Sequence, residues 1–391
     1  MSNENDTQII IPLIGRIDSN NASAVEEEIK GKLPKETEGG VTFDAEKLDY
    51  ISSAGLRVLL RLTKSYKTIS VINVSSHVYD IFYTTGFTDI MDVKRSYRTI
   101  SIEGCEEIGR GANGIIYRID QDNVVKVYDD TNALDEIKRE QENAKIALKN
   151  GIPTAISYDV VRVGENYGSV FEMLSPVSFS HIIATEPDKI GWCAEESVKL
   201  LKMLHETHVP DGKLPDARDR GRLWIRYAKE VLPDNVSDKI SELIENIPYE
   251  DRMIHGDYHT KNLMVHDNEV LLIDMETLAV GHPVFDLAAM FDAYIGFSEQ
   301  DPKEVLMFQG FDHDTAVDFW NRTLRGYFGE GNEELIADAV EKAKVLGYVR
   351  MLMHNVSHNL HETENGKQQV EIWREHLLEI IDRIDTLVFP V

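Results

Sequence analysis

The segment His255-Gly256-Asp257-Tyr258-His259-Thr260-Lys261-Asn262 sets a carboxylate and a carboxamide five residues apart, and Leu271-Leu272-Ile273-Asp274-Met275-Glu276 follows shortly after. Side chains of these types can address both ends of a phosphoryl transfer. Asp257 can orient an attacking hydroxyl and accept its proton, while Asn262 and Asp274 can hold a metal ion. The turn His266–Glu269 has the length to fold Leu263–Val265 and Val270–Asp274 into a hairpin, which would bring Asn262 near Asp274. A chance surface loop would have to produce the loop, the hairpin and the carboxylate in register.

Two further groups upstream suit a phosphate ligand. Gly109, Gly111 and Gly114 form a G-x-G-x-x-G string, in which the backbone can approach phosphates without side-chain clash. The same string serves dinucleotide-binding folds, but there it joins a strand to a helix. Here it lies between two β-like stretches, which favours a phosphate-covering hairpin; an ordinary glycine-rich turn explains the segment about as well. Lys126, within Val124-Val125-Lys126-Val127-Tyr128, is flanked by apolar residues, so its charge requires a partner. ATP phosphates and a glutamate of the next helix would serve, with Glu136, Glu140 and Glu142 all available.

The elements that must carry these residues change character near Ile102. Before it, strand and helix signals alternate: Ile9–Ile14 ends at Gly15, and Ala22, Val25, Ile29 and Leu33 recur at helical spacing behind Ser19, Asn20 and Asn21. Val41–Phe43 and Ser70–Val74 read as short strands around a helix over Ala54–Tyr66, an α/β pattern. After Ile102, Glu106–Tyr117, Asn123–Tyr128 and Tyr167–Leu174 read as strands, with a helix over Glu136–Leu148 that Gly151 and Pro153 stop. From Ser178 onward the pattern is mainly helical. No internal repeat or low-complexity tract appears.

Residues 102–391 resemble the aminoglycoside phosphotransferase and choline kinase superfamily. His255-Gly256-Asp257 departs from the His-Arg-Asp of protein kinases. Gly281-His282-Pro283-Val284-Phe285-Asp286-Leu287-Ala288 resembles that branch's Gly-x-Pro-x-x-Asp-Leu-Ala signature, and Leu200–His205 its Leu-x-x-Leu-His helix. Only six residues separate Asp274 from Gly281, too few for an activation loop. The resemblance implies a bilobal kinase-like fold that uses ATP and Mg²⁺ and a small-molecule acceptor. It implies that His255 and Asp286 support the catalytic loop and that Glu140 is the partner of Lys126. Phe171-Glu172-Met173-Leu174 would be the adenine hinge, placing Glu172 and Leu174 in the nucleotide site. Residues 1–100 resemble the STAS domain of anti-sigma factor antagonists through Asp44, Leu48-Asp49-Tyr50-Ile51-Ser52-Ser53-Ala54-Gly55-Leu56-Arg57. In that family a serine at this helix start is phosphorylated by a partner kinase; the match is Ser53, where a phosphate would meet backbone amides and the helix dipole. A plain N-cap serine accounts for the position equally well. Ser52 stands where the antagonists usually carry Asp.

Composition bounds the alternatives. The net charge of −27 argues against nucleic acid, whose binding needs Lys and Arg on phosphates. Residues 1–100 carry 12 Lys and Arg against 14 Asp and Glu, and the remainder 29 against 54. A solubilising surface explains the excess, and a cationic acceptor drawn to an acidic cleft is the sharper account. No stretch nears the ~18 apolar residues of a membrane helix, no basic-then-apolar leader opens the chain, and Cys105 and Cys193 make no framework. A cytoplasmic protein without membrane or nucleic-acid partners is expected. His354, His358 and Glu362, with His361 beside them, have a spacing that could present metal ligands, but no metal motif accompanies them. The resulting organisation is a STAS-like α/β domain over 1–100, a kinase-like N-lobe over 102–176 and a helical C-lobe over 177–391. Two rival functions stay open: a nucleotide-sensing regulatory protein acting through the STAS module, and a serine protein kinase.

Overall fold

The computed structural model describes residues 9–33, 40–66, 68–111, 113–173, 177–210, 212–267 and 269–391. The chain divides into two compact units. The first holds Met1–Gly104 with Val160–Gly168, and the second Cys105–Asp159 with Ser169–Val391.

In the first unit, β1 (Ile9–Ile17), α1 (Ala22–Lys32), β2 (Val41–Ile51), α2 (Ser53–Thr63), β3 (Ile69–Val74), α3 (Ser76–Thr84) and β4 (Asp92–Arg95) alternate along the chain. The four strands lie in the order β1-β2-β3-β4, all parallel. Parallel strands require crossovers, which the three helices supply. Ile11, Leu13, Phe43, Ala45 and Val71 meet Leu56, Leu59, Val78 and Phe82 in one buried cluster. Strand β2 runs well past the expected Val41–Phe43, because Asp44, Glu46 and Lys47 break the apolar pattern without leaving the strand. The start of α2 corrects the expected cap. Ser52 is the N-cap, its Oγ accepting the Ala54 N–H at 3.2 Å, and Ser53 is the exposed first helical residue. Gly55 is required there: a Cβ would meet Ile17 and Ile51 side chains at 2.7 Å.

Strand β5 (Arg98–Thr99) closes the stretch before the second unit. There β6 (Glu106–Gly111), β7 (Gly114–Arg118) and β8 (Asn123–Tyr128) form an antiparallel set, with Ile116 opposite Lys126. The predicted strand Glu106–Tyr117 is thus two strands divided at the glycines. Helix α4 (Leu134–Lys149) follows, then β9 (Asp159–Val163), most of which groups with the first unit, and β10 (Asn166–Glu172), the neighbour of β8.

The helical part comprises β11 (Val177–Ser178), α5 (Phe179–Thr185), α6 (Ile190–Glu206), α7 (Ala217–Ala228), α8 (Asp234–Glu245), β12 (Met253–Ile254), β13 (Leu263–His266), β14 (Glu269–Leu272), β15 (Ala279–Val280), α9 (Val284–Tyr294), α10 (Lys303–Gln309), α11 (His313–Phe328), α12 (Glu333–Ser357) and α13 (Glu364–Ile381). Every residue of α9 is buried, so this helix is the centre of the core, with Leu346, Val349 and Leu352 of α12 in the same cluster. A helix apolar on all sides belongs in such a place. Helix α12 ends at Ser357, so His354, His358 and Glu362 do not share one helical face. The His354 and His358 ring centroids lie 4.3 Å apart with the rings tilted by 42°, and no cluster of three or more His, Cys, Asp or Glu among the described residues could hold a metal. Among the described residues no helix is long and apolar enough to cross a membrane.

Candidate active site

The segment His255–Asn262 leaves β12 and enters β13, and the buried carboxylate of Asp286 fixes its backbone. Asp286 Oδ2 accepts the His255 N–H at 2.9 Å and Oδ1 the Gly256 N–H at 2.5 Å. His205 Nε2 lies 3.0 Å from Oδ2. Burial pushes the Asp286 carboxyl up, but His205 and the backbone amides outweigh it and hold the group below the usual range. Gly256 has φ +80°, and a Cβ there would meet the Thr277 carbonyl at 2.7 Å as well as the Arg220 guanidinium. Only glycine fits this turn without strain. His255 Nε2 lies 3.1 Å from the Ile273 carbonyl, tying the loop to the end of β14. Thr260 is held from the other side, its N–H donating to Tyr294 Oη at 2.9 Å and its hydroxyl to Gln309 at 2.7 Å.

This bracing presents Asp257. Asn262 Nδ2 donates to the Asp257 carbonyl at 2.9 Å and lies 3.3 Å from Oδ2, and His259 Nε2 is also 3.3 Å from Oδ2. Arg350 of α12 donates to Asp257 Oδ1 at 2.6 Å and to Asp292 Oδ2 at 3.0 Å. Burial raises the Asp257 carboxyl, but His259 and Arg350 together hold it well below the usual carboxylate range. Asp292 goes the other way: burial pushes it well above that range despite Arg350, and its Oδ1 has no hydrogen-bond partner among the described residues. Asp257 is therefore the partner that keeps its charge.

Across the cleft, Lys126 Nζ lies 3.5 Å from Glu140 Oε2. Glu140 is thus the partner among the three glutamates that the sequence leaves open. Glu136 accepts instead from Asn113 at 3.1 Å, and Glu142 pairs with Lys145. Burial lowers Lys126, but Glu140, Asp274 and Glu276 outweigh it and raise the ammonium's pKa. Glu276 is itself pushed up by burial and by Glu136, Asp274 and Glu140. The pairing of Leu263 with Leu272 and the Ile273 N–H to Asn262 carbonyl bond of 3.0 Å bring the two ends of the hairpin together. Asp274 follows at once with φ +65°, a left-handed conformation that costs a non-glycine residue on the order of 1–3 kcal/mol.

Gly109, Gly111, Gly114, Lys126, Glu140, Glu172, Asp257, Asn262 and Asp274 all line one cavity of about 540 Å³. His255 and Asp286 stand behind the loop and do not line it. Met173 donates its N–H to the Asp122 carbonyl at 2.6 Å. Leu174 lies outside the described residues, and Ser53 belongs to the other unit. Arg350 and Asp292 were not read from the sequence. The available signal was a single arginine in the apolar run Val345–Met353, where a charge must find a counter-charge.

Residues 104–321 match the model of the phosphotransferase enzyme family, and the chain belongs to that family. Residues 1–100 match the STAS domain, so the phosphotransferase region follows an N-terminal STAS domain. The latter is 36% identical over 95 residues to a Bordetella bronchiseptica protein named as an anti-sigma factor antagonist, BtrV, covering 23% of this chain and 81% of that one. Among solved structures, the chain is similar to ADP-bound aminoglycoside phosphotransferase APH(2'')-Ib, with 15% identity, 77% and 98% coverage and a TM-score of 0.49. It is also similar to a choline/ethanolamine kinase family protein from Mesorhizobium loti, with 14% identity, 71% and 88% coverage and a TM-score of 0.44.

Proposed function

We propose that this chain transfers the γ-phosphoryl group of Mg·ATP to a hydroxyl or amine of a small molecule. The observation that carries the reading is the convergence of Lys126, Asp257, Asn262 and Asp274 on one cavity. Lys126, oriented by Glu140, addresses the α- and β-phosphates under the glycine strands, and Phe171–Leu174 receives the adenine. Asp257, held ionised, accepts the acceptor's proton as its oxygen bonds to the γ-phosphorus and ADP leaves. Asn262 spends its amide nitrogen on Asp257, so Oδ1 is the atom it offers a cation, and Asp274 adds a carboxylate. The donor set suits Mg²⁺, and the repulsion that raises Glu276 marks a surplus of negative charge there. The ion would neutralise charge on the phosphates. The acceptor's small size is supported by the short path from Asp274 to Gly281: one 3-10 turn, Met275–Thr277, and β15 fill it, leaving no segment to carry a peptide.

Purified chain with Mg·ATP, offered amino alcohols, sugars and aminoglycosides, provides the test. Magnesium-dependent ADP release that rises with one acceptor, with a phosphorylated product in the ³¹P spectrum, is the expected result. Nucleotide binding with no turnover across the panel would favour the nucleotide-sensing alternative.

Ser53, exposed at the first turn of α2, is the proposed phosphosite of the STAS domain, which we read as a docking surface for another protein. Phosphorylation there would come from a separate kinase. After incubation with Mg·ATP, peptides covering Ser52 and Ser53 are expected to stay unmodified by mass spectrometry. Near-complete phosphate on Ser53 would promote the protein-kinase alternative.

A further inference from the structure

The cavity has two chemically different ends. At one, Met264, Leu271 and Ile273 of the hairpin line the cavity together with the glycine strands and Lys126. At the other, beyond Asp257, the lining is Ala289, Ala293, Phe297, Phe308, Lys261 and Arg350. These groups are contiguous with the base. His259, 3.3 Å from Asp257, packs edge-on against Phe308 at 5.2 Å between ring centroids, and Phe308 stands 6.5 Å from Phe297. Ala289 and Ala293 are four residues apart on α9, one small apolar face.

Charge at this end is equally one-sided. Four carboxylates line the cavity: Glu140 is paired with Lys126, Glu172 ends β10, Asp274 faces Lys126, and Asp257 alone reaches the far end. Arg350 is paired with the charged Asp257 and also donates to Asp292. Lys261 is exposed, with Nζ 4.8 Å above the Phe308 ring and no carboxylate within 4 Å among the described residues. A polyamine here would find the Lys261 ammonium, an Arg350 already paired with Asp257, and aromatic edges, where it needs several free carboxylates. The negative net charge of the whole chain is thus not repeated at this end of the cleft.

We infer that the acceptor is an alcohol with an aromatic or other apolar body and a negatively charged substituent. The body packs on Phe297, Phe308, Ala289 and Ala293, the anion meets Lys261, and the hydroxyl faces Asp257. This rests on the phosphotransferase reading of the same cavity and narrows its acceptor class.

Three benzyl alcohols that differ only in the para group test it: 4-(hydroxymethyl)benzoate, benzyl alcohol and 4-(hydroxymethyl)benzylamine. Their affinities are measured by ligand-observed NMR on the full chain with Mg²⁺ and a non-hydrolysable ATP analogue. The benzoate is expected to bind about fivefold tighter than the amine, near the upper end of what one exposed ion pair supplies. Lys261→Glu should abolish or invert that order, and Phe308→Ala should weaken all three about tenfold, as loss of a packed aromatic does. Equal or tighter binding of the amine, or no binding of any of the three, overturns the inference. So does a Lys261→Glu variant that binds the analogue more weakly while the order of the alcohols is unchanged, since Lys261 would then serve the nucleotide. Failure of the analogue to bind wild-type chain would instead sink the phosphotransferase reading, which the same titration reports separately.

Discussion

The two walls of the cleft are built on opposite plans. The loop His255–Asn262 is locked: Asp286, Tyr294 and Gln309 hold its backbone and side chains from beneath, and His255, Thr260 and Asn262 are buried. Of the glycine-bearing strands, β6 is largely exposed and β7 half-buried, and only Gly114 of their residues is buried. A group that must place a proton acceptor to within a few tenths of an ångström needs an over-determined frame. A cover for phosphates needs backbone N–H groups and freedom to approach. The difference separates positions where the fold demands a residue from those where only a ligand would.

The sharpest break of the comparison is Asp286→Ala. It orphans two backbone amides and a buried histidine, so a loss of about 3–5 kcal/mol is expected in urea denaturation, as for breaking a buried ion pair. Less than 1 kcal/mol would mean that the loop holds itself. Asparagine at this site isolates the pH dependence. The Asp286 carboxyl is held below its ordinary value of 3.8, so the unfolded chain binds the proton first as acid is added. The stability it contributes is fully present above that value and is lost as pH falls through the lower folded one. Asp286→Asn should flatten this acid slope.

On the opposite wall, Gly114→Ala and Gly111→Ala form a matched pair. A Cβ at Gly114 would collide with the Val127 carbonyl, whereas at Gly111 the nearest heavy atom is Gly114 O at 3.9 Å. Gly114→Ala should lose roughly 1–3 kcal/mol, like other overpacked sites, and Gly111→Ala less than about 0.5. Gly111→Ala should nonetheless raise KM for ATP. An unchanged KM would reduce Gly111 to an ordinary turn residue.

Arg350 gives the smallest and most specific effect. It is among the groups that lower Asp257, so Arg350→Gln should move the acid limb of the kcat profile to higher pH. An unmoved limb, with activity otherwise reduced, would make Arg350 a packing residue only.

The fold could be read from periodicity and punctuation because its signals are local. Alternating strands and helices up to Val74, the glycines of β6 and β7, and apolar helices after Ser178 all lie within short windows. The extent of β2 was hidden by charges on its exposed side, and the α2 cap by two adjacent serines that compete for one role. At the cavity, Asp257, Asn262 and Asp274 fall within eighteen residues, and their spacing carries the chemistry. Arg350 reaches Asp257 across 93 residues of chain, and Asp292 lies with Asp286 inside a helix whose other residues are apolar. Such pairing is decided by how α9 and α12 pack, which no short window records.

The central claim is that Asp257 acts on the acceptor's proton and not on the nucleotide. Asp257→Asn keeps the side chain's size, so the measurement is turnover and Mg·ATP affinity on the same preparation, once an acceptor is identified. Turnover is predicted to fall by about 10²–10⁴, the usual loss of one positioned base, with affinity for Mg·ATP nearly unchanged. Wild-type turnover in this variant would contradict the account.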